Sequence, residues 1–326
     1  MRLCLSLAFL ALPLSPATAA DPDVPEHGTV RFEPTGDQKN IPERYRLAAH
    51  SFDYDMTLKY ALPASGLTVY RLRFPSPVES PHKENNTVHA EYYRPDGKGP
   101  FPGLIILDIT GGDQTLSRSM GTYFAQKGIA GLFVQMAYYG PRRPPGSRLR
   151  LMSTDIVHSM NAVRQTVLDM RRATAWLETR PEVDSKRLGI VGTSLGSMLG
   201  ALVAEMEPKL GRVAVLLGGG GLVDAYYDHP LAAPYRKPFE KLGGTKAMVV
   251  KMLAPVDPLT CAGNLKDRKL LIIAGKRDEI VLPKMSVALW EASGKQKIIW
   301  YDCTHYGAIA YVMPAMAHIV EHFTAP

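Results

Sequence analysis

From Gly103 onward the chain alternates short, unbroken apolar runs with longer segments of helical period, and this rhythm sets the expected architecture. Gly103 to Ile109, Gly131 to Met136, Leu188 to Val191, Arg212 to Leu217, Lys269 to Ala274 and Gln296 to Tyr301 read as strands. Most are apolar throughout, as strands covered on both faces are. Between them, Ser117 to Lys127, Leu195 to Met206, Pro283 to Ala292 and about Gly307 to Phe323 read as helices. The longest helix is expected over Thr154 to Thr179, where Ile156, Met160, Val163, Val167, Met170 and Leu177 line one face. Ser153 or Thr154 caps it and Pro181 stops it. Such alternation predicts a mainly parallel sheet with right-handed crossovers and helices on both faces.

The N-terminal part has a different texture. Leu67 to Phe74 and Thr87 to Arg94 alternate like strands, with Pro75 to Pro81 between them, and predict an antiparallel edge to the sheet. Residues 21–63 are polar and proline-dotted and are read as a leader. Ahead of them, Arg2, the apolar stretch Leu3 to Leu14 and the small residues Ala17-Thr18-Ala19-Ala20 form a signal-peptide pattern over residues 1–20. That stretch is too short to span a bilayer. The expected product is an exported protein, periplasmic or secreted, without a membrane anchor, whose single functional domain occupies residues 64–326.

Chemistry enters at Gly192-Thr193-Ser194-Leu195-Gly196, which follows directly on the apolar run ending at Val191. A serine between two glycines at a strand-to-helix junction is the pattern of a nucleophile elbow, a strained turn that lifts the hydroxyl above the sheet. The glycines follow from sterics, because a Cβ there would meet the neighbouring strand or helix. A serine nucleophile needs a base, the base needs an orienting acid, and the oxyanion needs backbone donors. His305 lies just past the last predicted strand and is the expected base. Asp278 lies past the preceding strand, one strand before the histidine, and is preferred as the acid over Asp224 and Asp302. The expected oxyanion donors are the amide of Leu195 and that of Gly111 or Gly112, in the loop Thr110-Gly111-Gly112-Asp113.

Charge and cysteine usage exclude other classes. The net charge of +7 is mild, with basic residues scattered among acids and not interleaved with aromatics, so no nucleic-acid partner is expected. Cys4 departs with the signal peptide; Cys261 and Cys303 are either a disulfide, which export permits, or two unpaired thiols. His318 and His322 lie four apart without a nearby third ligand and read as one face of the last helix, so no metal is expected.

The elbow, the loop Gly275-Lys276-Arg277-Asp278-Glu279-Ile280-Val281 and the end Thr304-His305-Tyr306-Gly307 together resemble the α/β-hydrolase superfamily, over about Leu67 to Phe323. Within it the chain is similar to the dienelactone hydrolase, acetyl xylan esterase and prolyl-oligopeptidase-like branches. Tyr138-Tyr139-Gly140-Pro141-Arg142-Arg143-Pro144 is similar to a segment of the abhydrolase-domain protein 18 group. Two departures stand out: Thr110-Gly111 replaces the usual His-Gly pair, and Ser197 stands where many members have a glycine. The resemblance implies an α/β-hydrolase fold with a sheet of about eight strands flanked by helices on both faces. It further implies lid or wall segments at 137–152 and 222–253, with Tyr138, Tyr139 and Arg142 as candidate substrate-binding residues. The expected activity is cofactor-free hydrolysis of a small-molecule or polymer-borne carboxylic ester through an acyl-enzyme. Alternatives on the same residues are a peptidase, thioesterase or acyltransferase, or a binding protein that keeps the fold without turnover.

Overall fold

The computed structural model describes residues 24–36, 38–111 and 114–325. The expected signal peptide at residues 1–20, with Cys4, and the candidate donor Gly112 lie outside the described residues. In chain order the strands are β1 (Glu26–Phe32), β2 (His50–Leu62), β3 (Leu67–Pro75), β4 (Thr87–Pro95), β5 (Phe101–Leu107), β6 (Ala130–Val134), β7 (Val183–Thr193), β8 (Arg212–Leu216), β9 (Lys269–Gly275) and β10 (Lys297–Tyr301). The helices are α1 (Thr115–Gln126), α2 (Ile156–Glu178), α3 (Leu195–Met206), α4 (Leu222–Tyr226), α5 (Ala233–Lys241), α6 (Lys246–Leu253), α7 (Pro283–Ala292) and α8 (Val312–Thr324). All ten strands join one sheet in the order β1-β2-β3-β4-β6-β5-β7-β8-β9-β10. The pairs from β1 to β4 and β4 with β6 are antiparallel, and the pairs from β6 onward are parallel.

Burial on both faces explains the unbroken apolar strands. On β5, Ile105 and Leu107 pack with Val163, Val167 and Met170 of α2 and Leu199 and Leu202 of α3, while Leu104 and Ile106 pack with Met120 and Phe124 of α1 and Met316 and Ile319 of α8. At average transfer energies each such side chain contributes about 1.5–3 kcal/mol. The chain steps from β5 outward to β6 on one side and then back to β7 on the other. Where winding reverses in this way, the carboxyl ends of the two strands open a crevice, and ligands bind there.

Three expectations are corrected. The sheet has ten strands where about eight were expected, and the additional two come from the segment read as a leader, residues 21–63. In β1 only Val30 and Phe32 are buried, and in β2 only Phe52 and Met56, because these edge strands present one face to solvent and pair antiparallel. The cap of α2 is Asp155 rather than Ser153 or Thr154, its carboxylate accepting the His158 amide at 3.0 Å. Of the two expected lid segments, 222–253 does form separate helices, and α5 and α6 have no buried residue. In segment 137–152 the first part instead folds inward, with Ala137, Tyr138, Tyr139 and Arg142 buried, while within 143–152 only Leu151 is buried.

An ion pair holds that segment down. Arg142 donates from Nη2 to Asp169 Oδ2 of α2 at 2.7 Å, and both side chains are wholly inaccessible to solvent. The same guanidinium donates to the carbonyls of Gln135 and Asn85, each at 2.9 Å, and Ser76 Oγ donates to the other Asp169 oxygen at 2.6 Å. Every strong acceptor in the cluster is thereby engaged, the condition under which a buried pair is tolerated. Asp169→Ala is expected to cost about 3–5 kcal/mol in chemical denaturation, and Arg142→Met combined with Asp169→Leu less than the sum of the single changes. A loss under about 0.5 kcal/mol for the single variant would mean that the segment is held by other contacts.

Candidate active site

The turn between β7 and α3 holds Ser194 at φ 54° and ψ −119°, a left-sided conformation that non-glycine residues avoid. Neighbours fix it: the Ser194 amide donates to the Leu216 carbonyl at 2.8 Å, and the Ser194 carbonyl accepts the Ser197 amide at 3.0 Å and the Ser197 hydroxyl at 2.6 Å. Ser197, a departure noted in the sequence, thus braces the turn through its side chain. The glycines allow the close approach. A Cβ at Gly192 would lie 2.1 Å from the Gly196 carbonyl oxygen, and one at Gly196 would lie 2.2 Å from that of Asp108.

The structure brings Ser194, His305 and Asp278 together from three strand ends. Ser194 Oγ lies 3.0 Å from His305 Nε2, and His305 Nδ1 lies 2.8 Å from Asp278 Oδ2. Asp278 is 4% exposed, and its other oxygen accepts the amides of Ile280 and Val281 at 2.9 and 2.7 Å. The His305 amide donates to Glu279 Oε2 at 3.1 Å, a contact that adjacency to Asp278 could have suggested. The rival acids are elsewhere engaged and exposed: Asp224 pairs with Lys246 at 2.8 Å and Asp302 with Arg277 at 2.9 Å. Such a chain of groups can take a proton from the serine, hold it on imidazole and return it to a leaving group.

Leu195 opens α3, so its amide has no intrahelical acceptor and sits at the positive end of the helix dipole. The loop after β5 is arranged differently from the sequence reading. The Gly111 amide donates to Tyr139 Oη at 3.3 Å and the Ile109 amide to its neighbour Asp108 Oδ1 at 2.7 Å. Thr110, between them, lines the cavity beside Ser194, and its Oγ1 lies 3.1 Å from Tyr139 Oη. Tyr139 is therefore a support for this loop, a role no local signal marks because it acts from 28 residues away.

That cavity has a volume of about 300 Å³ and is walled mainly by apolar side chains, among them Leu116, Met120, Leu216, Ile273, Val312 and Met316. Tyr138, Tyr139 and Arg142 do not line it, which corrects their candidate role in substrate binding. Burial is the reason: Arg142 is held by Asp169, and Tyr138 packs its ring against His158 at 4.6 Å between centroids. Cys261 and Cys303 are both free thiols, so the disulfide alternative is not realised. Burial pushes the Cys261 thiol up to about 11, and burial together with the Asp278 carboxylate raises that of Cys303. Both stay protonated near neutral pH and are poor nucleophiles. His322 donates from Nε2 to the Lys269 carbonyl at 3.0 Å, while His318 lies 3.7 Å from Glu321. Among the described residues no cluster of three or more His, Cys, Asp or Glu is placed to hold a metal ion, and no helix is long and apolar enough to cross a membrane.

Known proteins share this framework. The acetyl xylan esterase from Paenibacillus sp. R4 superposes with a TM-score of 0.64 at 18% identity, over 82% of this chain and 88% of its own. Acetyl xylan esterase 1 from Thermoanaerobacterium sp. JW/SL YS485 gives 0.61 at 21% identity, over 81% and 87%. At such identities the likeness establishes the fold. An uncharacterized protein of Mycobacterium tuberculosis is 28% identical over 158 residues, 47% of this chain, and the chain spans only 36% of that relative's length. The prolyl oligopeptidase family model matches residues 158–303, and the alpha/beta hydrolase domain containing 18 model matches residues 50–219, just over half of the chain. With that match, this chain of α/β-hydrolase fold, in which a serine, a histidine and an acid converge at the strand ends, belongs to the alpha/beta hydrolase domain containing 18 family.

Proposed function

We propose that the protein hydrolyses carboxylic esters, small or polymer-borne, through an acyl-enzyme on Ser194. The observation that carries this reading is the continuous hydrogen-bonded line from Ser194 Oγ through His305 to Asp278, at 3.0 and 2.8 Å. Ser194 Oγ attacks the acyl carbon while His305 Nε2 takes its proton, and Asp278 holds Nδ1–H and stabilises the imidazolium. The negative oxygen of the tetrahedral intermediate is met by the Leu195 and Thr110 amides, Gly111 being engaged with Tyr139. Collapse expels the alcohol, which receives the proton from His305. A water molecule, deprotonated by the same imidazole, then attacks the acyl carbon and frees Ser194. The chain acts outside the cytoplasm, and the purified mature protein is expected to begin at Ala20 or Asp21.

The cavity favours esters over peptides. Among the described residues its wall offers no carboxylate or guanidinium to anchor peptide termini, and its apolar surface suits an aliphatic acyl group. Each methylene buried there adds about 0.8 kcal/mol, or about fourfold in kcat/KM. With p-nitrophenyl esters, kcat/KM is therefore expected to rise from acetate through butyrate to hexanoate, with peptide anilides turned over far more slowly. A sharp optimum at acetate would mean that the acyl group does not enter this cavity. Ser194→Ala is expected to lower ester hydrolysis by at least about a thousandfold without unfolding the protein. Asp278→Asn should cost roughly three to four orders of magnitude in kcat, and Asp224→Asn little. The reverse ranking would move the acid to the end of β8.

A further inference from the structure

A second cavity, of about 620 Å³, lies on the α1 side of the antiparallel half of the sheet. It exists because α1 reaches only as far as Glu91, leaving the outer rows of β2, β3 and β4 without a covering helix. Register places Arg71 opposite Glu91 and Arg73 opposite His89, so all four side chains emerge on this one face. Arg143 and Gln135 close the far wall, and Gln114 the edge beside the loop that follows β5.

The charges here do not cancel. Glu91, the acid in the wall, is already taken by Arg118 at 3.0 Å and by Lys59 at 2.8 Å. Asp55, across from Arg73 on β2, turns its carboxylate to His27. Arg71, Arg73 and Arg143 form no ion pair among the described residues, and Arg143 Nε is buried there without a hydrogen-bond partner. A second kind of group is also unsatisfied: Gln135 is 5% exposed and its Oε1 is buried without a partner. Leaving such groups unpaired costs free energy unless a ligand meets them. Burial, with Arg142 and Arg73 adding, lowers the pKa of His89, so its imidazole stays neutral and can hydrogen-bond in either sense.

We propose that this cavity binds a hydroxyl-bearing oxyanion, a carboxylate or a phosphate ester. Arg71, Arg73 and Arg143 clamp the anionic group, and the side-chain carbonyl oxygen of Gln135, Oε1, accepts from the hydroxyl. Guanidinium groups suit planar or tetrahedral oxyanions because they donate in pairs. The site is separate from the Ser194 cavity and does not depend on the ester-hydrolase reading.

Isothermal titration of the mature chain at low ionic strength tests this with three probes: citrate, glycerol phosphate and inorganic phosphate. Saturable one-to-one binding of citrate or glycerol phosphate is expected, and the tighter of the two identifies carboxylate or phosphate as the natural chemistry. The double variant Arg71→Gln/Arg73→Gln, at exposed positions, should weaken binding by at least about tenfold with an unchanged circular dichroism spectrum. Gln135→Leu should weaken citrate and glycerol phosphate more than inorganic phosphate. Absence of saturable binding for all three probes, or full affinity in the double variant, would overturn the proposal. Equal losses for all probes in Gln135→Leu would overturn the hydroxyl recognition.

Discussion

Three backbones meet at Ser194 more closely than any side chain permits, and the rest of the site is measured from that contact. Gly196 lies against the Asp108 carbonyl at the end of β5, and Gly192 against Gly196 itself. These approaches lock β5, β7 and the start of α3 into one rigid corner. The serine hydroxyl is consequently fixed relative to the loop after β5, and Asp278 and His305 need only arrive from the ends of β9 and β10. Precision at the reacting atoms therefore derives from backbone packing rather than from a long hydrogen-bond network. A rigid corner of this kind avoids reorganisation as charge develops.

The central half of the molecule was legible in the sequence because its physics is local. Strands buried on both faces must be apolar, and residues 103–107, 130–134, 188–192, 213–216 and 270–275 of β5 to β9 are. The elbow is legible because its steric demand falls on two glycines at fixed spacing. Legibility ends where long-range partners decide. β1 and β2 bury only alternate residues at the sheet edge, and their polar positions resemble a leader. Arg142 invites a surface role, and only the fold reveals that Asp169, 27 residues away, neutralises it. Gly111 looked like a free donor until Tyr139 was seen to occupy its amide. Spacing left Cys261 and Cys303 open to a bridge that the structure leaves unformed.

The segment Tyr138 to Arg142 ties these levels together. Its arginine is buried against α2 and its tyrosine hydroxyl reaches the loop beside the reacting serine. A polar cluster remote from Ser194 thus supports the loop that follows β5, which is how a costly buried charge can be retained. The segment's buried residues serve the interior and do not line the cavity beside Ser194.

α5 and α6 stand apart from this economy of fixed parts. They bury no residue of their own, and α5 carries Pro238 within it. Helices so thinly attached open at little cost compared with the core, independently of global unfolding. The consequence is evolutionary as much as dynamic: insertions, deletions or replacement within α5 and α6 leave the corner at Ser194 untouched. Descendants of this chain can therefore acquire new substrates by rewriting those two helices while inheriting the chemistry intact.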